Sequence, residues 1–405
     1  MSRRGARVRD GLRQLQLDKR SAQAILSGHP WLWPDVFDRV NWRPERGEVI
    51  DLLDAVGAPL GLGLAEGRLQ PGVPALRMLS LESQPPSLHK LLFSRIAAAR
   101  RLRERCLKAE TTGFRLLNGE GDGLPGLIVD RYLDTLVIKL DCAGWQPHLA
   151  TIVEALRAEA GGKPRSIVLR DREGAAQALH GELSEEPLVF VEDGRSYLVR
   201  PSSGQKTGFF LDQRENRNHV QTVSRPGDRS LNLFSYTGGF SVAMAMAQAT
   251  FVHSVDLSES IMADCQQQFR LNGIDPLGHR FQCANIFEWL PTMTRLPGEQ
   301  RYDLVVCDPP ALSHRQADLP KARAAYRRLH QGIGPLLSRR ALLVTASCTA
   351  RLDSDDLLDD ARAGLEGAGR RIGRLLRRAG AGADHPVPPG FAQGDYLSCL
   401  TLVVE

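Results

Sequence analysis

Past about Val189 the chain settles into an alternation of short apolar runs and amphipathic stretches. Strand patterns fall at Ser230–Phe234, Phe251–Asp256, Arg280–Cys283, Tyr302–Cys307, Ala341–Ala346 and Tyr396–Val404. Helical patterns fall between them at Phe240–Ala249, Ser258–Asn272, Leu319–Leu337 and Ser354–Ala368. Parallel strands cannot be joined by tight turns, and each crossover is usually a helix. The alternation therefore predicts an α/β, doubly wound Rossmann-type domain with its ligand cleft at the carboxyl ends of the strands. Upstream the pattern is different. Short apolar runs broken by Gly and Pro (Glu48–Leu53, Pro59–Leu64, Ala75–Leu79) read as a small β-rich domain, followed by a linker over Ser80–Ser87. A basic amphipathic helix from about Leu88 to Ala109 comes next, then strands at Gly126–Asp130, Thr135–Leu140 and Ser166–Arg170 and a helix at Leu149–Ala160. At 405 residues the chain is too long for one ordinary core. We expect three domains, over residues 1–83, 84–188 and 189–405.

With 42% hydrophobic and 24% charged residues the composition is that of a globular protein. No apolar run approaches the roughly 20 residues of a membrane-spanning helix. Met1–Arg20 lacks an apolar signal core, so the expected location is the cytoplasm, with no membrane partner. The seven cysteines (Cys106, Cys142, Cys265, Cys283, Cys307, Cys348, Cys399) form no CxxC pair. That pattern predicts reduced thiols and no metal site. The net charge of +5 says little, but its distribution says more. Basic residues gather at Arg3, Arg4, Arg7, Arg9, Arg13, Lys19 and Arg20, in the helix from Arg95 to Lys108, and at Arg370, Arg371, Arg374, Arg377 and Arg378; only Asp10 and Asp18 oppose the first cluster. Separate basic patches suit a polyanion such as RNA, although solvated helix faces would carry the same charges.

The first strand of the alternating region runs into Asn232-Leu-Phe-Ser-Tyr-Thr-Gly-Gly-Phe240, where Gly238 and Gly239 would let backbone approach a ligand closely. This is not the G-x-G-x-x-G of dinucleotide enzymes. The next strand ends at Asp256, placed to accept the ribose hydroxyls of an adenosine cofactor. Asp256 could instead cap the following helix, a role better suited to Ser258. Asn285, after the third strand, could meet an adenine edge. Order and spacing together point to S-adenosylmethionine.

The fourth strand ends in Asp308-Pro309-Pro310-Ala311, a rigid loop that aims a carboxylate into the cleft. Amino-group methyltransferases usually carry an aromatic residue where Ala311 stands, which argues against adenine N6. The fifth strand ends in Thr345-Ala-Ser-Cys348-Thr349. A thiolate there could add to carbon-6 of a cytosine and make carbon-5 nucleophilic. A small buried apolar residue is the alternative role, and the expected one for Cys307 and Cys265. Cys348 and Asp308 are the catalytic candidates. The rivals are guanine-N7 methylation, which needs no thiol, and a non-catalytic RNA-binding assembly factor.

Residues Gly204-Gln-Lys-Thr-Gly-Phe-Phe-Leu-Asp-Gln-Arg-Glu-Asn-Arg217, with Asn232–Phe240, Asp308–Pro310, Ser347-Cys348 and Ala383-Asp-His-Pro386, resemble the ribosomal RNA large subunit methyltransferase I family. Ser27-Gly-His-Pro-Trp31 resembles the start of that family's PUA-like domain, and Asn118–Arg131 its middle domain. The resemblance implies a PUA-like domain, an α+β middle domain and a class I methyltransferase domain that forms 5-methylcytidine in 23S rRNA. The substrate would be naked RNA or a partly assembled subunit; the oligomeric state stays open, with a homodimer as one alternative. By motif, Asp212, Asn232, Phe234, Tyr236, Gly238, Asp256, Ser258, Asn285 and Asp308 would contact the cofactor, and Cys348 would be the nucleophile. Phe210–Arg214 would lie on a hairpin near the cofactor, with Phe209 or Phe210 holding a target base turned out of its stack. Asn232 and Asn285 stand where many such domains have an acid, and Thr349 replaces the commoner Ser.

Overall fold

The computed structural model describes every residue except 1–6, 10, 172, 203–206, 294–296, 298–299, 314–315 and 350–351. Arg3, Arg4 and Asp10 of the basic N-terminal run, and Gly204, Gln205 and Lys206 of the family run, lie outside the described residues. The chain divides into two compact units.

The first unit comprises Met1–Leu188, Val199–Leu211 and Ala383–Gly394. It contains a six-stranded sheet in the spatial order Arg7–Arg9, Leu12–Gln16, Val49–Leu53, Pro59–Ala65, Leu76–Ser80, Trp31–Leu32. It also contains a five-stranded sheet ordered Ala176–His180, Ser166–Arg170, Thr135–Leu140, Leu127–Tyr132, Gly113–Asn118. One apolar core runs from Leu62, Leu64 and Leu79 of the first sheet through the helix Leu88–Cys106 to the second sheet. The Ala383–Pro386 motif is tied into this unit. The buried Asp384 accepts the Arg115 amide at 2.9 Å, and its carbonyl accepts Arg103 at 2.6 Å.

The second unit comprises Val189–Leu198, Asp212–Gly382 and Asp395–Glu405. Its sheet has seven strands: β1 (Arg229–Leu233), β2 (Phe251–Asp256), β3 (Arg280–Cys283), β4 (Tyr302–Cys307), β5 (Leu337–Ser347), β6 (Ile372–Ala379) and β7 (Ser398–Val404). The order is β3-β2-β1-β4-β5-β7-β6. The first five strands in that order are parallel, and β7 is antiparallel to both β5 and β6. This is the expected α/β, Rossmann-type class I architecture. The strand order reverses between β1 and β4, which places the ligand crevice beyond their carboxyl ends. The helices are α1 (Arg214–Val223), α2 (Gly239–Met246), α3 (Glu259–Leu271), α4 (Leu319–Ile333) and α5 (Ser354–Gly367).

Two differences from the sequence reading bear on the site. Residues Leu211–Gln213 form a 3-10 turn that leads into α1, so Phe210–Arg214 is not a hairpin. The hairpin pairs Leu188–Glu192 with Arg195–Val199. It grips α1 through the fully buried Glu192, which accepts Arg217 Nε at 2.8 Å and Nη2 at 2.5 Å. A pair so buried is stable only because the carboxylate is bonded to a matching guanidinium fork. The second difference is β6, an edge strand within the basic cluster Arg370–Arg378. Its side chains are mostly exposed and its register slips twice, so no period-2 apolar pattern marks it.

Candidate functional site

The loop after β1 has an unusual backbone. Phe234 and Tyr236 take positive φ values of 57° and 47°, and Gly238 takes 87°. Non-glycine residues in this region cost energy and cluster at ligand-binding turns. At Gly238 only glycine fits: a Cβ there would lie 2.3 Å from Cys265 Sγ on α3. The loop is held from both sides. Asp256 at the end of β2 accepts the Tyr236 amide at 2.8 Å and the Leu257 amide at 2.7 Å. On the other side, Tyr197 of the hairpin donates its hydroxyl to the Gly239 carbonyl at 3.1 Å.

Further along the same edge, Ser258 caps α3 by accepting the Ile261 amide. Asn285 is exposed and caps the short helix Ile286–Trp289, accepting from Phe287 N at 3.1 Å and donating to Glu288 at 2.8 Å. Phe234 and Phe287 meet edge to face at 5.9 Å. Asn232 is different. It has no exposed surface and donates to Ser241 Oγ at 2.9 Å, and Ser241 in turn bonds Ser254 at 2.7 Å. Its amide nitrogen fastens α2 to the sheet, while its Oδ1 is buried without a hydrogen-bond partner. Asp212 is also buried, and accepts the Tyr396 hydroxyl and, at its carbonyl, the Gly382 amide at 3.2 Å.

The ends of β4 and β5 carry the chemical candidates. Cys307 pairs with Thr345 in parallel register, so Asp308 and Cys348 leave adjacent strands at one edge of the sheet. Asp308 is half-buried and accepts Gln213 Nε2 at 2.9 Å. The residues on either side of Cys348 are locked. Tyr326 on α4 donates to Ser347 Oγ at 2.8 Å and lies 3.3 Å from Thr349 Oγ1. Thr349 Oγ1 also accepts the amide of Leu312, from the loop that begins at Asp308. Ser347 and Thr349 are fully buried, whereas Cys348 between them is half-exposed. The other thiols divide by burial. Desolvation pushes the Cys142, Cys265 and Cys399 thiols up to about 12, and it raises Cys307 as well, with a further rise from Asp308.

A family model described as S-adenosylmethionine-dependent methyltransferase matches residues 146–367, and one described as a PUA-like domain matches residues 15–68. A ribosomal RNA large subunit methyltransferase from Deinococcus radiodurans is 34% identical over 97% of this chain and 97% of its own. A ribosomal RNA large subunit methyltransferase I from Aeromonas salmonicida is 31% identical, over 96% of this chain and 98% of its own. The chain belongs to the ribosomal RNA large subunit methyltransferase I family. Membership makes it an S-adenosylmethionine-dependent methyltransferase with a PUA-like domain. Two solved methyltransferase structures share the fold of the whole chain. One, from Streptococcus mutans, has a TM-score of 0.83 at 23% identity and covers 96% of this chain and 99% of its own. The other, complexed with SAH, has a TM-score of 0.82 at 24% identity over the same shares.

The residues at the crevice of this family member fit such a cofactor. The Gly238 turn brings bare backbone to the strand ends, and Asp256 stands half-exposed at the next one. The basic patches are less simple than their sequence suggests. Arg103 is buried against Asp122, Arg95 bonds the Gly123 carbonyl, and Arg13 pairs with Glu48. Near the C-terminus, Arg370 bonds the carbonyls of Leu337 and Ser338, Arg377 bonds Asn216, and Arg378 bonds Asp355. Arg101, Arg105 and Arg374 keep exposed side chains that could meet phosphates. No helix among the described residues is long and apolar enough to cross a membrane. Sequence reasoning passed over Gln213, Tyr326 and Phe287, whose placement depends on partners distant in the chain or in a neighbouring loop.

Proposed function

We propose that this methyltransferase modifies carbon-5 of a cytosine in 23S ribosomal RNA, with Cys348 as a covalent nucleophile. The observation that carries the reading is the half-exposed thiol at the end of β5, on the strand next to the one that ends in Asp308. When bound, S-adenosylmethionine supplies an electrophilic methyl group on a sulfonium. Gly238, Asp256, Ser258 and Asn285 would hold it, with Tyr236 as part of the β1 loop and Phe234 and Phe287 flanking the adenine, while Asp308 faces the target base.

Cys348 as thiolate forms a bond to carbon-6 of the ring, and the electron pair displaced from the carbon-5–carbon-6 double bond makes carbon-5 nucleophilic. A proton donor near ring N3 stabilises that adduct, the role proposed for Asp308 as its carboxylic acid. Once carbon-5 carries the methyl group, a base removes its proton, the double bond re-forms and Cys348 leaves as thiolate. Exposed arginines and the PUA-like domain would hold RNA phosphates without reading sequence. The similarity of the whole chain to relatives named for the large subunit ribosomal RNA supports that substrate.

The test uses rRNA with fluorine at carbon-5 of the target cytosine, which cannot be lost as a proton. Wild type should give an S-adenosylmethionine-dependent protein–RNA band on a denaturing gel, and so should Cys307→Ala. Cys348→Ala should give neither band nor turnover. Full activity in Cys348→Ala would overturn the thiol mechanism and favour guanine N7, while failure of the protein to methylate any rRNA would remove the substrate assignment.

A further inference from the structure

Arg377 belongs to the basic cluster that the sequence offers to a polyanion, yet its side chain is only half-exposed and is committed inside its own unit. Its Nη1 donates to Asn216 Oδ1 at 2.8 Å. Asn216 Nδ2 donates to Gln213 Oε1 at 2.7 Å and reaches the Gly380 carbonyl at 3.3 Å. Gln213 Nε2 donates to Asp308 Oδ2 at 2.9 Å. Asn216 and Gln213 are almost fully buried, at 1% and 3% exposure. The direction of this chain is set by its ends. A guanidinium has only donors, so Asn216 must turn its oxygen to Arg377 and its nitrogen onward. Gln213 then receives a donor at its oxygen and has only N–H left to offer the carboxylate. Neither amide can flip without placing two donors or two acceptors face to face.

We propose that Gln213 is a positioning residue for Asp308, held in its one productive orientation by Asn216 and Arg377, and that Arg377 is not an RNA-phosphate contact. The proposal rests on the reading of Asp308 as a group that acts on the target base. A carboxylate on a strand-end loop can rotate about its last side-chain bond. A buried donor on one oxygen stops that rotation and fixes where the other oxygen lies. The bond lies in a low-dielectric setting, and the amides between Arg377 and Asp308 polarise one another. Three stretches distant in sequence meet in this relay: the 3-10 turn with the start of α1, the end of β4 at Asp308, and the edge strand β6. It also accounts for the near-complete burial of two polar members of the family run, Gln213 and Asn216.

The experiment compares Gln213→Glu, Gln213→Leu, Arg377→Met, Arg377→Lys and Asp308→Asn in the full-length protein. Gln213→Glu keeps the size of the side chain but presents a second carboxylate in place of a donor. It should lower kcat at least tenfold while the Kd for S-adenosylmethionine by calorimetry stays within twofold. Gln213→Leu should behave alike, and it stands in if Gln213→Glu does not fold. Arg377→Met should lower kcat severalfold, and Arg377→Lys, which still donates, should restore most of it. RNA affinity and the salt dependence of binding should be unchanged in both Arg377 variants. A slope of log K against log salt that falls by about one in Arg377→Met, with kcat intact, would make Arg377 a phosphate contact and overturn the relay. Loss of kcat and cofactor affinity together would also overturn it, as general loosening of the domain. Wild-type kcat in Asp308→Asn would instead sink the reading of Asp308 on which the relay depends. Damage in Asp308→Asn with wild-type kcat in both Gln213 variants would sink the relay alone.

Discussion

Replacing Gly238 by alanine tests the geometry of the β1 loop with a magnitude that can be worked out beforehand. The residue sits at φ +87°, where an L side chain costs about 1–2 kcal/mol. The new Cβ would also lie 2.3 Å from Cys265 Sγ, and inserting a methyl group into so tight a contact costs about 1–3 kcal/mol. Gly238→Ala should therefore destabilise the fold by about 2–5 kcal/mol. The two contributions can be separated. In Cys265→Ala the Sγ is gone, and the nearest remaining atom of that side chain is its Cβ at 3.4 Å, an ordinary contact. The double variant should recover the steric part and keep only the backbone strain. Urea unfolding monitored at constant m gives the four stabilities of the cycle, and the coupling energy should be about 1–3 kcal/mol in favour of the pair. Strict additivity would refute the packing argument, and a Gly238→Ala variant as stable as wild type would refute both contributions.

Asp256→Ala should weaken S-adenosylmethionine binding at least tenfold, about 1.4 kcal/mol, because it removes a charged acceptor and the two amide bonds that shape the loop; calorimetry on the folded variant checks this. Tyr326→Phe removes only the hydroxyl that ties Ser347 to the Thr349–Leu312 junction. It should cost about 1–3 kcal/mol of stability and slow formation of the fluorocytosine adduct, with cofactor affinity unchanged. Burial depresses His253 and His330 from 6.5 to about 4. The unfolded chain takes up protons that the folded one does not, so stability is intact above pH 6.5 and is lost as pH falls toward 4. At pH 5 this amounts to about 2 kcal/mol for each histidine, seen as a lower urea midpoint than at pH 7.5.

What the sequence disclosed follows from how each element is stabilised. Strands β2, β3 and β4 occupy the residues read from the pattern, β4 most plainly because Leu304–Cys307 is a continuous buried apolar run. The edge strand β6 gave no such signal: Arg374, Leu375 and Leu376 are all exposed, and Arg377 turns back into its unit. Helix α1 was hidden for the opposite reason. Its inner face carries Arg214, Asn216 and Arg217, which are buried through ion pairs and amide bonds that no hydropathy pattern records. The same division holds at the candidate site. Gly238, Asp256, Asp308 and Cys348 stand at strand ends that can be counted along the chain. Gln213 meets Asp308 across 95 residues, and only the fold brings them together. The bond from Asn232 on β1 to Ser241 under α2 is likewise a product of the fold.

The switch point divides the sheet chemically as well as topologically. On one side, the residues at the ends of β1, β2 and β3 include Gly238, Asp256 and the capping Asn285, which shape the loops by hydrogen bonds and close backbone approach. On the other, β4 and β5 end in a carboxylate and a thiol, groups that can gain or lose a proton. Cys307 and Cys348 show how narrow the second requirement is. Cys307 lies inside β4, paired with Thr345, with no exposed surface and an anionic neighbour, and both effects hold its proton on. Cys348 lies three residues past Thr345, beyond the end of the strand, and is half-buried. In the proposed mechanism a thiolate that attacks a ring carbon must be both reachable and fixed in orientation. Ser347 and Thr349 on either side are buried and bonded to Tyr326 and Leu312, which fixes the backbone that carries the thiol. In that mechanism the hydroxyls around Cys348 would act by limiting where the thiol can go.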